Sequence, residues 1–327
     1  MNTNGRPGSV LVSGAARGIG RATAELFLAR GWRVGMYDVD VEAVADAAAG
    51  RHGAVHGALD VRDAGQWRTA LRAFCGDGAL DVLVNNAGVL ASGPFTETDL
   101  TSHRRMVDVN VTGVITGAAE GHRFLQRSPR GTLLNLCSAS ALYGQPTLAT
   151  YGATKAAVKS LTEALDIEWR REGIRVRSLL PLFVHTEMVT RDGVRASSVA
   201  NLGVRLTADD VAAAAWKVVH ERRRPLASPH RPVGRQTKLL AAASAVTRTG
   251  PTASWSPASP AEDGLPAPKV RRLPGLSGRK VRRGVGCGTD RLRRRGRPAG
   301  RRSRSSPRSR PAGRRPSRRR PAGGRSR

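Results

Sequence analysis

Aromatic residues are scarce, making up 4% of the 327 residues, and acidic residues nearly run out in the final third. Hydrophobic residues stand at 39%, which is lean for a chain of this length burying a core throughout. No run of about 18 apolar residues occurs, so a transmembrane helix is not expected. The opening stretch MNTNGRPGS carries no apolar segment of the kind a secretory signal needs. The three cysteines, Cys75, Cys137 and Cys287, lie far apart and suit neither a disulfide framework nor a metal site. The expectation from these absences is a soluble cytoplasmic protein that uses no metal.

Positive charge is abundant but uneven. The sequence holds 55 Lys/Arg against 25 Asp/Glu, a formal charge of +30. Uniform basicity would suggest a nucleic-acid partner. Residues 1–220, however, hold 24 basic and 21 acidic residues, net +3, while residues 221–327 hold 31 and 4, net +27. From about residue 248 the sequence is Arg, Pro, Gly, Ser and Ala without hydrophobic period. Such a segment cannot offset its ordering entropy by burial, so residues 248–327 are expected to be a disordered tail behind a single domain at 1–247.

Three readings of the tail compete. A nucleic-acid arm would bind phosphate with steep salt dependence, but Trp255 is the one aromatic residue in 249–327, so base stacking has little to work with. A plain solubilising tail is the second reading. The third is translation in a shifted frame of GC-rich DNA. Back-translating Ala253 to Pro260 with G or C in third positions and reading from each third base yields Val or Leu, Val or Leu, Val, Ala or Pro, Arg or Gly, Val or Leu, Ala or Pro. That shifted stretch resembles an aliphatic element, and the shifted frame is the favoured reading.

The first 220 residues alternate between two periods. Val10–Val12 reads as a buried strand, followed by the turn Ser13-Gly14-Ala15-Ala16-Arg17-Gly18-Ile19-Gly20 and a helix capped at Gly31. Strands are expected at Arg33–Tyr37, Ala54–Leu59, Asp81–Val84, Gly131–Cys137 and Arg175–Leu180. Helices are expected at Val41–Ala49, Gln66–Phe74, Asp99–Leu125, Thr150–Glu172 and from Thr207 to His220. Six strands alternating with helices predict an α/β fold, a doubly wound parallel sheet of the Rossmann type.

Three groups of residues carry chemistry. Glycines 14, 18 and 20 lie between strand and helix, where the backbone can approach a pyrophosphate and the helix N-terminus favours an anion. Asp38 ends the second strand, where a carboxylate can bind both ribose hydroxyls and repel a 2′-phosphate, which favours NAD over NADP. Arg17 in the turn offers a guanidinium to a phosphate, and Asp60, after the third strand, either binds adenine or caps a turn. Tyr151 and Lys155 are spaced i, i+4 on one helix face. An ammonium beside a tyrosine stabilises its phenolate, and moving that pKa from about 10 toward 7 takes roughly 4 kcal/mol.

Glycine turn, Asn85-Asn86-Ala87-Gly88, Asn110, Ser138, Tyr151 and Lys155 occur in this order with suitable elements between them. In these residues the sequence resembles the short-chain dehydrogenase/reductase family over about residues 8–245. The resemblance implies an NAD(P)-dependent oxidoreductase acting on an alcohol or carbonyl substrate. It implies that Ser13, Gly14, Arg17, Gly18, Ile19, Gly20, Asp38, Asp60, Val61, Asn86, Ala87, Gly88, Tyr151, Lys155, Val184 and Thr186 contact the cofactor. Tyr151 is implied as general acid/base, Ser138 as the group polarising the substrate oxygen, and Lys155 as lowering the Tyr151 pKa. Asn110 is implied to hold a water in a proton relay.

Ser140 lies near Ser138 but at the wrong spacing for that role. Where the family has Pro-Gly after strand six, this chain has Pro181-Leu182, and the nearby His185 reads as a solvated loop residue rather than a substrate contact. Residues 187–205 are expected to form a mobile substrate-covering loop. A homodimer or homotetramer through helices 99–125 and 150–172 is implied. The alternative function is a dehydrogenase-derived protein binding nucleic acid through its tail.

Overall fold

The computed structural model describes residues 7–185, 206–222 and 227–247. The chain divides into two units, Met1–Pro257 and Ala258–Arg327, and every described residue belongs to the first. Thr186, the segment 187–205 and the basic stretch from 248 lie outside the described residues.

The strands are β1 (Ser9–Ser13), β2 (Arg33–Asp38), β3 (Ala54–Ala58), β4 (Val82–Asn85), β5 (Thr132–Leu136), β6 (Arg175–Pro181) and β7 (His230–Val233). They form one parallel sheet in the order β3-β2-β1-β4-β5-β6-β7. The helices are α1 (Gly18–Ala29), α2 (Val41–Ala48), α3 (Ala64–Cys75), α4 (Leu100–Val107), α5 (Gly113–Gln126), α6 (Ala149–Glu168), α7 (Ala208–His220) and α8 (Arg235–Thr247). Each strand alternates its side chains between two apolar layers. Val10, Val12, Val34 and Met36 join Phe27, Val211 and Val218 in one layer. Leu11, Leu83, Leu133 and Val176 join Trp67, Phe74 and Phe124 in the other. Both faces are thus covered, and the doubly wound reading holds. The strand order reverses between β1 and β4, and in such sheets that crevice is where ligands bind.

Local capping sets where the helices begin. Asp40, Asp63 and Asp99 each accept backbone N–H groups of the first turn of α2, α3 and α4, and Thr207 and Asp210 form a capping box on α7. Gly31 adopts φ +75° just past α1, as a helix-ending glycine does.

The structure corrects the sequence reading in three places. The helix expected at 99–125 is broken by a π-helical turn, Asp108–Thr112, between α4 and α5. The helix expected to reach Glu172 tightens into a 3₁₀ turn at Trp169–Glu172, ended by Gly173 at φ +81°. The seventh strand, His230–Val233, was not expected because Pro232 interrupts its pattern. It pairs only with β6 at the sheet edge, where a missing N–H is tolerated.

Candidate active site

The switch point collects the glycine turn, the Asn85–Gly88 segment and the start of α6. Ser13 uses its hydroxyl structurally: Oγ donates to the Val84 carbonyl at 3.3 Å and accepts from the Asn86 and Ala87 N–H groups at 3.1 and 3.2 Å. Asn86 Nδ2 donates to the Ser13 and Gly14 carbonyls, both at 2.9 Å. These bonds tie β1 to the strand beside it and hold the turn open. Gly14 sits at φ +68°, and a Cβ there would lie 2.8 Å from Ala87 Cα. A Cβ on Gly20 would lie 2.0 Å from the Gly14 carbonyl oxygen. The turn accepts only glycine at these two positions, and the N-terminus of α1 carries no side-chain cap.

Asp38 stands under this turn. Its carboxylate accepts from the Ala16 N–H at 3.0 Å and the Asp40 N–H at 3.1 Å. Arg17, the N-cap residue of α1, forms an ion pair with Asp40. The Ala43 N–H and this guanidinium hold the Asp40 carboxyl below its ordinary range. Asp60 is gripped by Arg62 through Nε and Nη2 at 2.5–3.1 Å, which lowers its pKa. Val61 is packed in the core, and its carbonyl accepts from Trp67 Nε1 at 2.9 Å. Ile19 packs partly against the first apolar layer. Val184 is buried and bridges to Leu206, while His185 is exposed.

Asn110, Ser138, Tyr151 and Lys155 come together beside Gly88. Asn110 Oδ1 accepts from the Val89 N–H at 2.8 Å, and its Nδ2 donates to the Val89 carbonyl at 2.8 Å and to Thr154 Oγ at 3.2 Å. Both amide protons are spent on structure, so the side chain has no donor left for a water. Its main chain lies in the π-helical turn, a distortion frequent at functional sites. Lys155 Nζ donates to the Leu136 carbonyl at 2.9 Å and lies 5.6 Å from the Tyr151 ring centre. A Cβ on Gly88 would lie 3.2 Å from Asn110 Oδ1 and 3.7 Å from Lys155 Nζ. Ser138 stands against Tyr151, and its hydroxyl acts to lower the Tyr151 pKa.

The electrostatics differ from the sequence expectation. Burial pushes the Tyr151 pKa up to about 12, with the Ser138 hydrogen bond pulling it down. Burial also pushes Lys155 down. Lys155 faces the Tyr151 ring at 5.6 Å and donates to the Leu136 carbonyl. Next to Ser138, burial raises the thiol of Cys137, whose Sγ lies 3.2 Å from the Lys155 carbonyl oxygen.

Sequence reasoning set Ser140 aside and did not single out Tyr143, Gln145 or Thr147. Ser140 Oγ lies 3.1 Å from Ser138 Oγ and 3.0 Å from Gln145 Oε1. Thr147 adopts φ +64°, unique among the described non-glycine residues, and its Oγ is buried without a partner. The polar cluster between Ser138 and Tyr151 was the available signal. Among the described residues no helix is long and apolar enough to cross a membrane, and no group of three His, Cys, Asp or Glu side chains could hold a metal.

A family model described as short chain dehydrogenase matches residues 9–195. A 3-alpha-(or 20-beta)-hydroxysteroid dehydrogenase of Mycobacterium bovis is 39% identical over 183 residues, 54% of this chain and 69% of that protein. A cis-4-hydroxycyclohexanecarboxylate dehydrogenase of Sinomonas cyclohexanicum is 35% identical over 185 residues, 55% and 74% of the two chains. A Burkholderia phymatum short-chain dehydrogenase/reductase solved with NAD superposes with a TM-score of 0.64 at 26% identity, covering 76% of this chain and 98% of that one. A gluconate 5-dehydrogenase from Burkholderia cenocepacia, solved with NADP and tartrate, gives 0.62 at 27% identity, covering 71% and 95%. The chain belongs to the short-chain dehydrogenase family, an NAD(P)-dependent oxidoreductase acting on CH–OH groups.

Proposed function

We propose that residues 1–247 form the catalytic unit of an NAD-preferring alcohol dehydrogenase or ketone reductase in which Tyr151 exchanges the proton with the substrate oxygen. The observation carrying this reading is the convergence of Ser138, Tyr151 and Lys155 beside Gly88 at the switch point. A dinucleotide suits these residues. Gly14 and Gly20 admit no Cβ and Gly18 adopts φ +54°, so the backbone turns tightly at the start of α1, whose uncapped N-terminus favours a pyrophosphate. Asp38 keeps lone pairs for ribose hydroxyls, and Arg17 is already paired with Asp40, which supports NAD over NADP. Ile19, Val61, Ala87, Asn86, Val184 and Thr186 complete the proposed cofactor-binding set, and Asp60 reaches adenine only beside its Arg62 partner.

When bound, the nicotinamide supplies the hydride acceptor or donor. The chain's own residues handle the proton. Tyr151 gives it to a carbonyl oxygen or takes it from an alcohol. Ser138 hydrogen-bonds the same oxygen as its charge changes. Lys155, fixed by the Leu136 carbonyl, holds positive charge near the Tyr151 ring. Asn110, fixed by its bonds to Val89 and Thr154, is the residue proposed to hold the relay water.

The substrate proposed is a secondary alcohol on a six-membered ring, or the matching ketone. The names of a hydroxysteroid, a hydroxycyclohexanecarboxylate and a dichlorocyclohexadienediol dehydrogenase among the relatives support this class. Val107, Ile115 and Ile167 on α4, α5 and α6 are 44%, 48% and 67% exposed, which supports assembly into a dimer or tetramer through those helices. The intact Ser138, Tyr151 and Lys155 favour an enzyme over a nucleic-acid-binding derivative, and the stretch 248–327 is read as a tail outside the catalytic unit. A panel of ring and open-chain alcohols and ketones, followed by nicotinamide absorbance with both cofactors, tests the reading. Turnover of ring alcohols with NAD is expected, and turnover confined to open-chain substrates or to NADP would overturn it.

A further inference from the structure

Ser138 stands at the inner end of a hydrogen-bond chain that the proton transfer above does not use. Ser138 Oγ donates to Ser140 Oγ at 3.1 Å and accepts from the Ser140 N–H at 3.2 Å. Ser140 Oγ donates to Gln145 Oε1 at 3.0 Å, and Gln145 Nε2 donates to the Tyr143 hydroxyl at 2.6 Å. Ser138, Ser140 and Gln145 are buried, whereas Tyr143 reaches the surface. The chain therefore runs from the reacting centre to solvent through the segment just before α6.

Such a chain has a direction, because each serine hydroxyl has one proton to give. With the Gln145 amide oxygen facing Ser140, the spacings suit an arrangement in which the hydroxyl protons of Ser138 and Ser140 both point outward, toward Gln145. In that orientation Ser138 presents lone pairs to a substrate oxygen beside it, whereas the hydrogen bond by which it lowers the Tyr151 pKa needs its proton turned inward. The outward orientation suits an alcohol, whose O–H donates. A carbonyl oxygen can only accept, so Ser138 must donate to it, and the chain must run inward. Running inward needs a donor where Gln145 Oε1 now faces Ser140. Glutamine provides one by a half-turn of its amide, which exchanges oxygen and nitrogen with almost no movement of heavy atoms. The Tyr143 hydroxyl both donates and accepts, so it serves either orientation.

We propose that Gln145 is a positioning residue that sets the direction of the Ser138–Ser140 hydroxyl chain, so that Ser138 accepts from an alcohol in one amide orientation and donates to a carbonyl in the other. The proposal rests on the assignment of Ser138 and Tyr151 made above. Glutamine suits the position because it is neutral and offers a donor and an acceptor at the same reach. Glutamate keeps the shape but, ionised, only accepts. Methionine keeps the length and offers no proton.

The test uses the full chain with cyclohexanol and cyclohexanone as probes, comparing wild type, Gln145→Glu, Gln145→Met and Tyr151→Phe. The reaction's equilibrium constant ties the two directions together, so kcat/KM for alcohol and ketone falls by one common factor in each Gln145 variant. That factor is expected to be about tenfold or more, given the cost of losing a donor to a developing oxyanion. The partition is the diagnostic. In Gln145→Glu the chain is locked outward, so the cyclohexanol KM stays within about twofold of wild type and the loss falls on kcat. With cyclohexanone the loss falls largely on KM.

Acidification is expected to restore Gln145→Glu toward wild type, because a protonated carboxyl carries one donor and one acceptor. Gln145→Met should show the common loss without recovery at any pH. The proposal is overturned if either Gln145 variant matches wild type in both directions, or if the Gln145→Glu loss is the same at every pH. Should Gln145→Glu fail to fold, the Gln145→Met kinetics still decide, since wild-type constants there sink the idea. An inactive Tyr151→Phe beside wild-type-like Gln145 variants removes this inference alone. An active Tyr151→Phe removes the underlying site assignment as well.

Discussion

Tyr37 shows how one side chain's burial becomes a measurable property. It is 3% exposed, and its hydroxyl is buried with no hydrogen-bond partner. Burial first, then the nearby Cys75, pushes its pKa up to about 12, against an opposing pull from Arg33. A phenol whose folded pKa lies above its unfolded value of about 10 contributes stability that is complete below pH 10 and lost as pH rises through 12. Tyr37→Phe removes an unsatisfied hydroxyl and is expected to raise stability by about 1 kcal/mol at neutral pH. It should also make the alkaline fall in melting temperature shallower, with Tyr151 supplying what remains of it. Melting curves from pH 7 to about 11 check both, and a lower neutral melting temperature would contradict the burial argument. Tyr151 obeys the same sign. With its pKa raised to about 12, its base form is scarce near neutrality, so alcohol oxidation is expected to accelerate steadily with pH while ketone reduction stays flat until roughly a unit below that value. Initial rates in both directions across that range check it, and an oxidation rate that falls as pH rises would contradict it.

The glycines of α5 explain an element that propensity argues against. Gly113, Gly117 and Gly121 recur every four residues and face inward. Cβ atoms there would lie 2.6 Å from Val61, 2.3 Å from Asn85 Oδ1 and 2.3 Å from Leu83. The helix thus packs directly on the sheet and on Trp67. Alanine is better than glycine in a helix by about 1 kcal/mol, yet overpacking a tight core costs about 1–3 kcal/mol. Gly117→Ala is therefore expected to lower stability by about 1 kcal/mol or more, and a higher melting temperature would show that the contact is not tight.

This element also marks the limit of what the sequence made legible. The strand–helix alternation, the glycine turn and the Tyr151–Lys155 spacing followed from local patterns and stand in the structure. The π-helical turn at Asp108–Thr112 did not, because it arises where the Asn110 amide is pulled to Val89 and Thr154. Nor did the positive φ of Thr147 or the Ser140–Gln145–Tyr143 chain, which depend on how the segment before α6 folds back on Ser138.

Across the whole molecule, charge and chemistry are segregated. Residues 1–220 carry +3 and residues 221–327 carry +27, while every group proposed to touch cofactor or substrate lies between Ser13 and Thr186. A chain cut after Thr247 is expected to keep both its melting transition and its turnover. Loss of folding on that cut would place the basic stretch inside the catalytic unit. The most direct test of the central claim is Tyr151→Phe in the full chain, measured for turnover and for NAD(H) binding by nicotinamide fluorescence. The account predicts that turnover is abolished while NAD(H) binds as in wild type. Wild-type turnover in Tyr151→Phe would contradict it.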